Sequence, residues 1–144
     1  MEIAIGSDHA GFDLKEYLLE EELAPRKNLE AKDLGTDSRD SVDYPDFAKK
    51  VAKKVIDGEV DLGILICGTG VGMSMTANKF AGIRAVDATN SYMAKMSRRH
   101  NNSNILCLGS RNIGAELAAQ ILSDWMNEDF EGGRHQRRVD KIKT

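Results

Sequence analysis

Short apolar runs alternate along this chain with segments whose apolar residues recur at helical spacing. Ile3 to Gly6 reads as a buried strand, Leu29 to Leu34 as a weaker one, and Leu62 to Ile66, Ile83 to Val86 and Ile105 to Leu108 as three more. Between them, Ala10 to about Glu22 predicts a helix with Phe12, Leu14, Leu18 and Leu19 mainly on one side, stopped by Pro25. Thr36 to Val42 is a polar loop. Tyr44-Pro45 opens a second helix, since proline suits the first helical turn, and Phe47, Ala48, Val51, Ala52 and Val55 form its buried stripe. Lys49, Lys50, Lys53 and Lys54 then face water, and Gly58 is a stop. Further helices are predicted after Gly70, with Met73, Ala77 and Phe80 as its apolar residues. Others run over Ser91 to Arg99 and Ile113 to Met126, and a last basic one starts near Gly133.

Strands that alternate with helices predict an α/β fold: a three-layer α/β/α sandwich around a Rossmann-like parallel sheet. Ligands of such sheets bind beyond the carboxyl ends of the strands. That edge should carry Ser7-Asp8-His9, Asp43-Tyr44, Cys67-Gly68-Thr69-Gly70 and Gly109-Ser110-Arg111.

The third of these groups is the most informative. Strand Leu62 to Ile66 runs into Cys67-Gly68-Thr69-Gly70-Val71-Gly72 and then into a helix. Glycines at such a turn let backbone N–H groups approach a ligand and point at negative charge. A cysteine there lies near a helix N-terminus, which favours a thiolate. No Gly-Lys-Ser/Thr follows, so this is not a Walker A loop, and the glycine spacing is not that of a dinucleotide fingerprint.

Composition narrows the classes. At 144 residues the chain fits one domain, residues 1–144, and a net charge of −3 gives no global basic field for nucleic acid. No apolar run approaches a membrane span and no signal peptide is visible, so a cytoplasmic protein is expected. Cys67 and Cys107 lack metal-ligand spacing.

Three further groups could carry chemistry. Asp8 either caps the first helix or, with His9, reaches into a site. Arg98-Arg99-His100-Asn101 ends a helix; charge compensation explains its arginines better than its histidine and asparagine. Arg134 and Arg138, four apart, share a helix face and suit a phosphate dianion, whereas Arg137 lies on a neighbouring face. Together these fit a small phosphorylated molecule undergoing proton transfer.

The blocks Gly6-Ser7-Asp8-His9-Ala10-Gly11-Phe12, Asp43-Tyr44-Pro45, Cys67-Gly68-Thr69-Gly70-Val71-Gly72, Ser97-Arg98-Arg99-His100-Asn101, Gly109-Ser110-Arg111 and Gly132-Gly133-Arg134-His135 resemble the type B ribose-5-phosphate isomerases. Galactose- and allose-phosphate isomerases are relatives within that family. The resemblance implies a cofactor-free and metal-free interconversion of ribose 5-phosphate and ribulose 5-phosphate on a five-stranded sheet of order 2-1-3-5-4. It makes Cys67 the base between C1 and C2, with Thr69 assisting. Backbone N–H groups of Gly68, Gly70, Val71 and Gly72 would stabilise the enediolate. His100 would open the sugar ring, with Asp8 on ring or hydroxyl oxygens and Tyr44 and Asn101 orienting the sugar. His9, Arg134 and Arg138 would bind phosphate, with Arg111 as a further contributor. It further implies a homodimer or dimer of dimers with shared sites, the C-terminal helix reaching the partner. A hexose 6-phosphate isomerase and a non-catalytic sugar-phosphate binder are the alternatives. Val86-Asp87-Ala88-Thr89-Asn90 departs from the family pattern, where a Cys-His pair is often found, and Ala24 to Asn28 replaces its usual turn.

Overall fold

In a computed structural model, which describes residues 1–142, five strands form one parallel sheet in the order β2-β1-β3-β5-β4. The strands are β1 (Glu2–Ser7), β2 (Glu30–Asp33), β3 (Leu62–Cys67), β4 (Ala85–Asp87) and β5 (Ile105–Gly109). Residues 143 and 144 lie outside the described part. β3 is buried along its whole length and pairs with β1 and β5, which explains its uninterrupted apolar run.

Side chains alternate between the two faces of the sheet. Ile3, Ile5, Ile64, Ile66, Leu106 and Leu108 face one core. There they meet α1 (Phe12–Tyr17), α4 (Ser91–Asn101) and α5 (Ala115–Met126), with Trp125 fully buried among them. Ala4, Leu65, Cys67, Ile105 and Cys107 face the other core, under α2 (Tyr44–Ile56) and α3 (Val71–Ala77). Phe47, Ala48, Val51 and Ala52 are the buried stripe of α2. Val55, expected to join them, is only half-buried because it lies in the last turn.

Three expectations need correction. The first helix starts at Phe12 rather than Ala10, because Ala10 and Gly11 form a turn against β3. Its second half, Leu18–Leu23, widens into a π-helix. Leu18 and Leu23, five residues apart, are both fully buried, and the wider turn stacks positions five apart. β4 begins at Ala85 rather than Ile83, so Asp87 is its last residue instead of the loop that follows.

Each helix that follows a strand runs back across the sheet, and that sets which edge each loop occupies. The loops after β1, β3 and β5 lie at the carboxyl edge. The end of α4 lies at the opposite edge, where Asn104 accepts a hydrogen bond from the N–H of Gly63 at the start of β3. The last helix, α6 (Arg134–Val139), packs there too: Val139 and Ile142 line a groove of about 760 Å³ with Phe80, Ile83 and Arg84, just before β4.

Candidate active site

Cys67 ends β3, and its side chain is almost fully enclosed. The chain then turns sharply through Gly70, whose φ of 84° is the left-handed conformation that glycine adopts without strain. The turn aims the Gly70 N–H at Cys67 Sγ, 3.2 Å away. The Val71 N–H donates to Thr69 Oγ1 at 3.3 Å. Two backbone donors of the segment are therefore already engaged, one of them by the sulfur itself. Thr69 is exposed, with its hydroxyl proton directed by neither of these contacts.

The loop after β5 straps this turn in place. Ser110 N–H donates to Cys67 O at 2.9 Å, Arg111 N–H to Gly68 O at 3.0 Å, and Asn112 Nδ2 to Thr69 O at 3.0 Å. Ser110 Oγ also donates to Ala10 O at 2.7 Å, so the loops after β1, β3 and β5 are tied together. The exposed Arg111 guanidinium lies against Gly68: a Cβ there would meet its Nη1 at 3.3 Å. Tyr44, at the start of α2, lays its ring on Gly72, where a Cβ would come within 2.7 Å of it.

Asp8 and His9 follow β1. Asp8 is buried and accepts from the Gly11 N–H at 3.1 Å, so it braces the turn before α1 without capping the helix itself. His9 Nδ1 accepts from the Val42 N–H at 3.2 Å, which leaves Nε2 as the position for a donor proton. Asp8, His9, Tyr44, Cys67, Thr69, the Gly68–Gly72 turn and Arg111 thus share the carboxyl edge, as the spacing predicts.

His100, Asn101, Arg134 and Arg138 do not. His100 and Asn101 are in the last turn of α4, and the arginines are on α6, at the opposite edge. Six residues of β3 separate the two edges, roughly 17 Å at about 3.3 Å per residue. The His100 imidazole stacks on His135 with centroids 4.2 Å apart and planes within 7°. Glu131 Oε2 lies 3.8 Å from His100 Nε2 and 3.5 Å from His135 Nε2. Arg99 grips the other oxygen, Oε1, through Nε at 2.6 Å and Nη2 at 2.5 Å. The Arg99 hydrogen bond is the main reason the Glu131 carboxyl is held below its ordinary range. Burial first, then the neighbouring His100 and Arg134, lowers the His135 pKa from its ordinary value.

The two groups meet chemical needs that neither meets alone. One offers a sulfur, backbone donors and hydroxyl ligands; the other offers imidazoles and guanidinium forks. Residues 3–142 match the family model described as Ribose/Galactose Isomerase.

The chain belongs to that family.

This isomerase is 51% identical over 140 residues to ribose-5-phosphate isomerase B of Escherichia coli (strain K12), spanning 97% of this chain and 93% of the relative. It is 50% identical over 143 residues to a putative sugar phosphate isomerase of Bacillus subtilis (strain 168), spanning 99% and 95%. A solved structure of Clostridium thermocellum ribose-5-phosphate isomerase B superposes with a TM-score of 0.95 at 53% identity, covering 99% of this chain and 95% of that one.

Ser110 and His135 stand in quoted motifs without a role of their own, and Asn112 and Glu131 fall outside them. Ser110 and Asn112 act through hydrogen bonds to backbone oxygens, which leave no mark in sequence. Glu131 stands beside the Gly132-Gly133 turn, and His135 follows Arg134 directly, so an imidazole next to arginines is the signal in sequence for the histidine pair.

Proposed function

We propose that this isomerase interconverts ribose 5-phosphate and ribulose 5-phosphate, with Cys67 as the base and a second copy of the chain completing each site. The observation that carries the chemistry is the Gly70 N–H on Cys67 Sγ: a partial positive charge meets the sulfur at the end of a buried strand. In the open-chain aldose, Sγ takes the proton from C2 and returns it to C1 while the hydroxyl proton of O2 passes to O1, and the O1 and O2 charge of the enediolate is met by donors of the Gly68–Gly72 turn. Since Gly70 and Val71 already donate elsewhere, that task falls to the other donors, with the Thr69 hydroxyl beside them. Asp8 and Tyr44 hold sugar hydroxyls. His9 Nε2 and Arg111 approach the phosphate from the same edge.

His100 opens the furanose ring and Asn101 orients it, but they reach a Cys67 only on another chain. The same holds for Arg134 and Arg138 as phosphate ligands. A homodimer that sets the carboxyl edge of one copy against the α4–α6 end of the other supplies both halves at once.

The test is turnover of Cys67→Ala and Cys67→Ser on ribose 5-phosphate, with allose 6-phosphate and galactose 6-phosphate alongside. Loss of a general base is expected to cost roughly 10²–10⁴ in kcat, with substrate binding retained. Near-normal kcat in the alanine variant would remove Cys67 from the role. Faster turnover of a hexose phosphate would reassign the substrate.

A further inference from the structure

Outside the Cys67 turn, a compact group of donor atoms among the described residues lies at the opposite edge. His100, Glu131 and His135 each offer one ligand atom, and these atoms all lie within 4.8 Å of one another. Arg99 occupies Glu131 Oε1, so Oε2 is the oxygen that faces both Nε2 atoms. Two imidazoles and one carboxylate are a recurring ligand set for zinc, which keeps a further position open for another group.

We propose that His100, Glu131 and His135 form an inhibitory site for a transition-metal dication of the zinc class. The proposal rests on the reading of His100 as the ring-opening residue: an ion on its Nε2 takes away the lone pair that would accept a proton. Imidazole nitrogen selects zinc, cobalt, nickel and copper, whereas magnesium and calcium prefer oxygen throughout.

The present side-chain arrangement sets what must move. The imidazoles are stacked with planes within 7°, so their ring lone pairs lie in two nearly parallel planes, and one ring has to tilt for both to converge on one ion. His135 is buried, with 7% of its side chain exposed, and His100 is 36% exposed, so His100 is the ring free to tilt. Arg134 Nε lies 3.5 Å from His135 Nε2 and must swing away. Arg99 stays on Oε1. These two guanidinium groups oppose a dication by charge and keep its affinity below that of a structural zinc site. Inhibition of this kind is reversible.

Cobalt(II) alone, titrated into the full chain carrying Cys67→Ser, tests the site. That background matters because a thiolate at Cys67 would also take the metal, with a sulfur-to-cobalt charge-transfer band that nitrogen and oxygen ligands lack. Cys107 does not compete, since it is fully buried and its thiol is pushed well above its ordinary pKa. The expected result is one cobalt per chain, d–d bands only, and displacement by zinc. Affinity should fall by more than about tenfold in His135→Ala and in Glu131→Gln, as even outer-shell partners are worth that much. Glu131→Gln keeps the side-chain shape and carries the test if His135→Ala does not fold. In the enzyme with Cys67 present, zinc should inhibit turnover, a chelator should reverse it, and Glu131→Gln should blunt it. Cobalt bound only when Cys67 is present, or with equal affinity in the Glu131→Gln protein, would overturn the proposal. If the isomerase reading were wrong instead, cobalt binding in the Cys67→Ser protein would persist with no turnover to inhibit.

Discussion

The carboxyl of Asp87 sits at the end of β4 with Oδ1 buried and without a hydrogen-bond partner among the described residues. Burial pushes its pKa up, because the charged form loses water and gains no donor. The folded chain therefore binds this proton more tightly than the unfolded chain does. Its favourable contribution is complete below the ordinary aspartate range and is lost as pH rises through the elevated folded value. Asp87→Asn should raise Tm at neutral pH and flatten the acid-side dependence of stability. Urea unfolding between about pH 4 and pH 7 checks this; parallel curves for the two proteins would show that Asp87 is solvated. Gly70 is linked to the same oxygen. A Cβ at position 70 would lie 2.2 Å from Asp87 Oδ1, on backbone with φ of 84°. Gly70→Ala should cost about 1–3 kcal/mol in strain, and kcat should fall as the N–H leaves Cys67 Sγ. Adding Asp87→Ala should relieve the clash and leave the backbone strain, so the double variant recovers stability only in part.

On α6 the periodicity separates its three arginines. His135 and Val139 form the buried stripe. Arg134 and Arg138 flank that stripe, and Arg137 points directly away from it. If the flanking pair clamps phosphate, Arg134→Ala and Arg138→Ala should each weaken ribose 5-phosphate binding by about 2 kcal/mol, with Arg137→Ala nearly silent. Unphosphorylated ribose should discriminate little among the three. Steady-state kinetics with the association state checked by sizing would measure this; equal losses at positions 137 and 138 would point to packing. The same periodicity made most elements legible. β3 and the stripe of α2 are plain because each buries one continuous set of side chains. The widened turn at Leu18–Leu23 was not, since it departs from the 3.6-residue repeat on which helix reading depends. The start of β4 at Ala85 is equally hidden from the apolar pattern. Ile83 is buried and apolar like a strand residue, but its N–H closes a turn onto Phe80 O before the strand begins.

At the scale of the whole molecule, the motifs of the site are plain in sequence order while their division between two edges is not. Nothing about Ser97 to Asn101 marks it as remote from Cys67. That follows only once α4 is seen to run back across a parallel sheet. If each site combines Cys67 of one copy with His100 of another, Cys67→Ala and His100→Ala are each inactive alone. Mixed after dissociation and reassociation, they should regain turnover, because half of the sites in a mixed dimer carry neither defect. No recovery from a mixture shown to contain hybrids would place both residues in the site of a single chain. Among the described residues no helix is long and apolar enough to cross a membrane.

If each site is shared between two chains as proposed, the roughly 17 Å between the Cys67 turn and the His100 end gives turnover a dependence on concentration. On that reading a separated chain holds two half-sites at opposite edges of the sheet, too far apart to meet by a local motion. Specific activity is then constant where chains are plentiful and falls with dilution, the rate per volume passing from first to second order in protein. The midpoint of that fall reads the association constant directly, with the substrate as the only reporter needed.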